Sequence, residues 1–141
     1  VYKPTTPCTP DDPLAVDADA ANVLAAWFAL GESLLDELRD TYAAHDPTTA
    51  TLWPEHFDLA CAVGDAGGGT RANYGASPGD GTIPQPYLYV GPWDASRRSG
   101  KLATQPWGAA ITYEELRAAG DAKGVGMDFF LEGAALLLGQ P

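Results

Sequence analysis

Between about residues 18 and 44 the apolar positions are Val23, Leu24, Trp27, Phe28, Leu30, Leu34, Leu35, Leu38 and Tyr42. Their steps are mostly three and four, the spacing that stacks side chains on one side of an α-helix. Glu32, Asp36, Glu37, Arg39 and Asp40 fall mainly on the other side. The pattern predicts a long amphipathic helix whose apolar face must be covered. Asp17 stands where an N-cap belongs. His45-Asp46-Pro47 ends the run, because the residue before a proline disfavours helical geometry.

The period then changes to two. In residues 52–64, Phe57, Leu59, Cys61 and Val63 alternate with His56, Asp58, Ala60 and Ala62, which predicts one strand with a strongly apolar face. A glycine-rich loop, 64–69, suits a hairpin. Residues 70–77 alternate again, Ala72, Tyr74 and Ala76 against Arg71, Asn73 and Ser77. Residues 86–93 give a third strand, with Leu88 and Val90 opposite Tyr87 and Tyr89. Residues 94–108 read as a mobile polar loop. Thr112 and Glu115 form a capping box for a short helix over about 113–119. A last helix over about 121–138 carries the stripe Met127, Phe130, Leu131, Ala134, Leu137 and Leu138. Its Gly124, Gly126 and Gly133 weaken its propensity, so burial or close approach has to compensate.

The switch from period 3.6 to 2 and back predicts an α+β fold: an antiparallel meander of at least three strands, packed by a long N-terminal helix and a C-terminal helix. Three strands leave edges that need blunting. Further strands are therefore expected from the N-terminal arm, a partner chain or a missing segment. The arm is residues 1–16. Its prolines at 4, 7, 10 and 13 forbid helix and favour an extended course, with Tyr2, Leu14 and Val16 as anchors. The chain opens at Val1 without a methionine and reads as one domain, 1–141, expected to be the C-terminal part of a longer polypeptide.

Charge narrows the choice of partners. The 141 residues carry a formal net charge of -11. The first 70 hold 12 acidic residues against Lys3 and Arg39, and the rest hold 7 acidic against 6 basic. Such a chain repels phosphate backbones and anionic membranes, so neither nucleic acid nor membrane is an expected partner. The asymmetry marks either a solvated acidic face or a patch for a basic partner. With no apolar run near the ~20 residues of a spanning helix and no signal-peptide pattern, a cytoplasmic protein is expected. Cys8 and Cys61 lie far apart in no dense framework. Two free thiols are favoured, a bridge stays arithmetically possible, and Cys61 looks like a small core residue.

The chemistry-bearing candidates cluster in the middle of the chain. Gly75-Ala-Ser77-Pro-Gly79 matches the G-x-S-x-G nucleophile elbow, which requires a strand turning sharply into a helix. The sequence after Ser77 cannot form that helix, so a turn serine is the competing reading. His56 and Asp58 share one strand face, and with Ser77 or Asn73 on the adjacent strand they are expected to form a polar cluster, in which Asp58 orients His56 as the base that activates water or Ser77. The competing reading is a structural polar group at the strand start. The hairpin is expected to bring Asn73 and Arg71 alongside Asp58, the arginine holding the carboxylate ionised. The aromatics Trp53, Tyr74, Tyr87, Tyr89, Trp93 and Trp107 either line a pocket between sheet and loops, with His56, Arg71 and Asn73 as polar contacts, or serve core and interface. A metal site from Glu55, His56 and Asp58 is disfavoured because Glu55 points to the opposite face and His45 lies in another loop. Asp80 and Asp94 sit in glycine loops without EF-hand spacing. No metal and no cofactor are expected.

The stretch Leu52-Trp-Pro-Glu-His-Phe-Asp-Leu-Ala60 resembles a WPxHFDLA motif of small uncharacterised proteins from high-GC Gram-positive (actinobacterial) bacteria. Asn73 to Asp80 and Pro86 to Trp93 are similar to the same family. The resemblance covers about 40 residues, 52–93, and the helix leading in. It implies no activity, cofactor or site, and its members are longer at the N-terminus. The expected function is a non-enzymatic binding or assembly module. Its partner would be a protein (itself or a missing N-terminal segment) or a small molecule contacted by His56, Asp58, Arg71, Asn73, Tyr87 and Tyr89. The alternative is a hydrolase-like enzyme using His56, Asp58 and Ser77.

Overall fold

The computed structural model describes residues 11, 13 and 15–140. Of the N-terminal arm, Tyr2, Cys8 and Leu14 lie outside the described residues, while Val16 is exposed. Helix α1 spans Ala18–Thr41. The Asp17 carboxylate accepts the N–H groups of Asp19 (2.9 Å) and Ala20 (3.0 Å), satisfying two of the donors that a helix start leaves open. A short 3₁₀ turn, Ala43–His45, follows, and Asp46 takes a left-handed conformation just before Pro47.

Five strands follow as a simple antiparallel meander: β1 Thr51–Trp53, β2 Asp58–Val63, β3 Ala72–Ser77, β4 Tyr87–Pro92 and β5 Ala109–Thr112, in the spatial order β1-β2-β3-β4-β5. The α+β meander expected from the periodicity is therefore present, with two strands more than the pattern showed. Those extra strands come from within residues 51–112, not from another segment or chain. Residues 52–64 are not one strand. Residues 54–57 form a turn, closed by the Phe57 N–H donating to the Trp53 carbonyl at 2.7 Å, and Phe57 takes φ +54°. Residues 94–108, expected as a mobile polar loop, contain two 3₁₀ turns, Ala95–Arg97 and Gly100–Ala103. They deliver Leu102 to the core and Trp107 to the other side of the sheet.

Helix α2, Tyr113–Ala118, begins at the expected capping box: Thr112 and Glu115 each bond the other's backbone N–H. Helix α3, Ala122–Leu138, starts at Asp121, which accepts from the Gly124 N–H at 2.9 Å. Both long helices cover one face of the sheet. Leu34, Leu35, Leu38, Phe130, Ala134 and Leu137 meet Val63, Tyr74, Ala76, Leu88 and Val90 in one core, and Tyr74 packs edge-on against Phe130. Two of the three glycines that weaken α3, Gly126 and Gly133, are points of close approach. A Cβ at Gly126 would lie 2.9 Å from a Leu34 methyl, and one at Gly133 2.9 Å from a Val90 methyl. Cys61 is buried in this core, as its position suggested, and burial pushes its thiol up to about 11. No helix among the described residues is long and apolar enough to cross a membrane.

Candidate functional site

Among the described residues no helix covers the sheet's second face, and its side chains follow from the register. Because side chains alternate, the residues out of phase with the core lie in rows across the strands. Trp53 pairs with Asp58, and Ser77 pairs with Tyr87 and through it with Thr112. The next row runs Thr51, Ala60, Gly75, Tyr89 and Ala110. The third is Ala62, Asn73 and Gly91. The middle of this face is thus alanine and glycine, while its borders are aromatic. A surface with a low floor and tall walls is a trough.

Two adjoining cavities fill it. The larger, about 640 Å³, is lined by Thr48, Thr51, Trp53, Ala60, Ala62 and Asn73 among others, with Arg71 and Trp93 at one end. The smaller, about 210 Å³, is lined by Ser77, Asp80, Tyr87 and Trp107. His56, Asp58 and Tyr89 belong to both and form the waist.

Asp58 is only 7% exposed. The Tyr89 ring lies across Gly75, where a Cβ would come within 2.5 Å of its Cζ. Reaching diagonally over that glycine, the Tyr89 hydroxyl donates to Oδ2 of Asp58. Burial, then the Asp58 charge and this hydrogen bond, raise the Tyr89 phenol far above its ordinary value. The other carboxylate oxygen, Oδ1, is buried and has no hydrogen-bond partner among the described residues. Buried carboxylate oxygens are nearly always paired, so this orphan marks the site.

Tyr87 and Trp107 stack with centroids 6.0 Å apart, and Tyr89 meets Trp107 edge-on at 5.9 Å. The Tyr87 hydroxyl donates to Asp80 Oδ2 at 2.7 Å. Burial opposes ionisation of Asp80, but the Ile83 N–H, the Tyr87 hydroxyl and the Thr82 N–H outweigh it and lower its pKa. Burial pushes the Tyr87 phenol up to about 12. At the far end Trp93 donates its indole N–H to Asn73 Oδ1 at 2.8 Å, and the Arg71 guanidinium lies over the Trp93 ring at 5.3 Å.

Trp53, His56, Asp58, Arg71, Asn73, Ser77, Tyr87, Tyr89, Trp93 and Trp107 all line these two cavities, but not in the predicted arrangement. His56 and Asp58 do not share a strand. His56 sits in the β1–β2 turn and still reaches both cavities. Arg71 is not beside Asp58. The antiparallel register places it at the opposite end of β3, where it bonds the Gly64 carbonyl (2.6 Å) and Asp46 (3.0 Å). Tyr74 faces the helices. Ser77 is followed by loop, not helix, and its hydroxyl accepts the Gly79 N–H at 3.2 Å, the geometry of a turn serine. Asp80 and Asp94 are committed to turns of their own, Asp94 accepting from the Ser96 N–H at 2.8 Å. Among the described residues no three or more His, Cys, Asp or Glu side chains gather as a metal site.

The sequence reading missed the floor. Its signal was present in Ala60, Ala62, Gly75 and Gly91, small residues on the strand phase that the core does not use. Asp80 as the partner of Tyr87 left no such signal. Comparison with protein-family models, curated proteins and solved structures finds no match to this chain, so function is argued from the site.

Proposed function

We propose that this chain is a binding module that seats a small molecule in the trough on the open face of its sheet. The observation that carries the reading is the orphaned Oδ1 of Asp58 at the waist of an aromatic-walled hollow of about 640 Å³. A concave, mostly apolar space with a few converging polar groups is the usual form of a ligand site. Trp53 and Trp93, about half exposed, supply apolar area that a ligand would cover.

A fragment screen followed by ¹⁵N–¹H correlation spectra tests this. Binders are expected to shift the amides of Ala60, Ala62 and Asn73 and the indole N–H signals of Trp53, Trp93 and Trp107. Shifts confined to the helical face, or no binder at millimolar concentration, refute it.

One observation favours the hydrolase reading: His56, Asp58 and Ser77 line the same cavity. Against it, Asp58 is bonded to Tyr89 and the Ser77 hydroxyl to Gly79. A reactive fluorophosphonate separates the two. Labelling of Ser77 that disappears in His56→Ala would establish the enzyme; an unlabelled Ser77 leaves the binding module.

A further inference from the structure

Resting on the reading of the trough as a small-molecule site, the geometry points to the class of ligand: an organic cation with a flat apolar body. Its ammonium would donate to Asp58 Oδ1, and its body would lie on Ala60 and Ala62 between Trp53 and Tyr89.

The argument begins with charge. Asp58 and Arg71 both line the larger cavity, but Arg71 is already balanced by Asp46, with a second bond to the Gly64 carbonyl. Asp80, in the smaller cavity, is committed to Tyr87, Thr82 and Ile83. Among the described residues, the cavity carboxylate oxygen left without a partner is Oδ1 of Asp58. A carboxylate oxygen without a partner is met by a donor, so the ligand must bring one, and a charged donor gives the stronger bond.

The surroundings favour the same sign. Trp53 is the cross-strand partner of Asp58, and Tyr89 is its hydrogen-bond donor, so two aromatic residues adjoin the carboxylate. Ring faces attract cations. His56 lines both cavities beside Asp58. The chain's net charge of -11 raises the local concentration of cations and repels anions. Access requires side chains to move, and those at the rim are placed to do so. Trp53 is half exposed, and His56 sits in an exposed turn.

Three probes with one indole body separate the alternatives: tryptamine, tryptophol and indole-3-propionate. Titrated into the wild-type chain and followed by ¹⁵N–¹H spectra, tryptamine is expected to bind at least about tenfold tighter than tryptophol, and the propionate weakest. Asp58→Asn should remove the advantage of tryptamine. If the variant does not fold, Trp53→Ala on the short outer strand replaces it and should weaken tryptamine at least about threefold. Tryptophol or indole-3-propionate binding in the trough as tightly as tryptamine overturns the cation and leaves the trough reading intact. A tryptamine affinity unchanged in Asp58→Asn, or unchanged in Trp53→Ala, also overturns it. Failure of all three probes overturns it as well, and the trough reading falls with it only if the fragment screen is equally empty.

Discussion

Asp58 and Tyr89 offer the sharpest test, because Asp58 is buried, Tyr89 is half-buried, and each is the other's partner. Asp58→Ala removes the acceptor and leaves the Tyr89 hydroxyl without one, in a position where burial already disfavours its ionisation. An orphaned buried donor costs about 1–3 kcal/mol. Asp36, exposed on α1 and paired only with Arg39 one turn on, should cost within about 0.5 kcal/mol on the same change. With a urea slope of about 1.5 kcal/mol/M for a domain of this size, the Asp58→Ala midpoint should fall by about 0.7–2 M and the Asp36→Ala midpoint by less than about 0.4 M. Tyr89→Phe should cost more than Asp58→Ala, because it leaves a buried carboxylate with neither oxygen paired. The double variant leaves no orphan, so its loss should be at least about 1 kcal/mol smaller than the sum of the singles. Equal midpoints for Asp58→Ala and Asp36→Ala, or strict additivity in the cycle, would refute the coupling of this pair.

Three further outcomes follow. Gly75→Ala would push a methyl into the Tyr89 ring, so it should destabilise by about 1–3 kcal/mol in the same melts and shift the Tyr89 ring signals. The Tyr74 hydroxyl is buried in the helix-facing core without a partner among the described residues, so Tyr74→Phe should raise stability by up to about 1 kcal/mol; a loss would mean the hydroxyl is satisfied. Folding raises the Tyr87 phenol to about 12 and the Tyr89 phenol beyond its ordinary value, so both contribute stability fully present below pH ~10 and lost as the pH rises from there through the folded values. Phenolate absorbance should therefore lag in the folded chain, and Tyr89→Phe should shrink the late component.

Local chemistry made much of this molecule legible in advance. Asp17 and Thr112 cap helices because an oxygen at that position meets open backbone donors whatever surrounds it. Tyr87 and Tyr89 stand opposite Leu88 and Val90 because alternation is a property of a single extended strand. The turn at 54–57 escaped notice because Phe57, Leu59, Cys61 and Val63 keep period two straight through it, although Phe57 sits at positive φ and packs outside the strand against Phe28. Strands β1 and β5, three and four residues long, are too short to show a period of their own.

The site itself depended on relations between strands. Sequence alone placed His56, Asp58, Asn73 and Tyr89 among the candidates, and also placed Arg71 beside Asp58. Register decides that neighbourhood. Leu59 pairs with Ala76, so the end of β3 near Asp58 carries Ser77, and Arg71 lies at the far end beside Gly64. Tyr89 reaches Asp58 only because Gly75, on the strand between them, leaves room for its ring. Alternation along one chain fixes which face a residue takes. Which residues meet there is set by hairpin closure and by the packing of α1 and α3 against the other side, interactions between segments that no local spacing records.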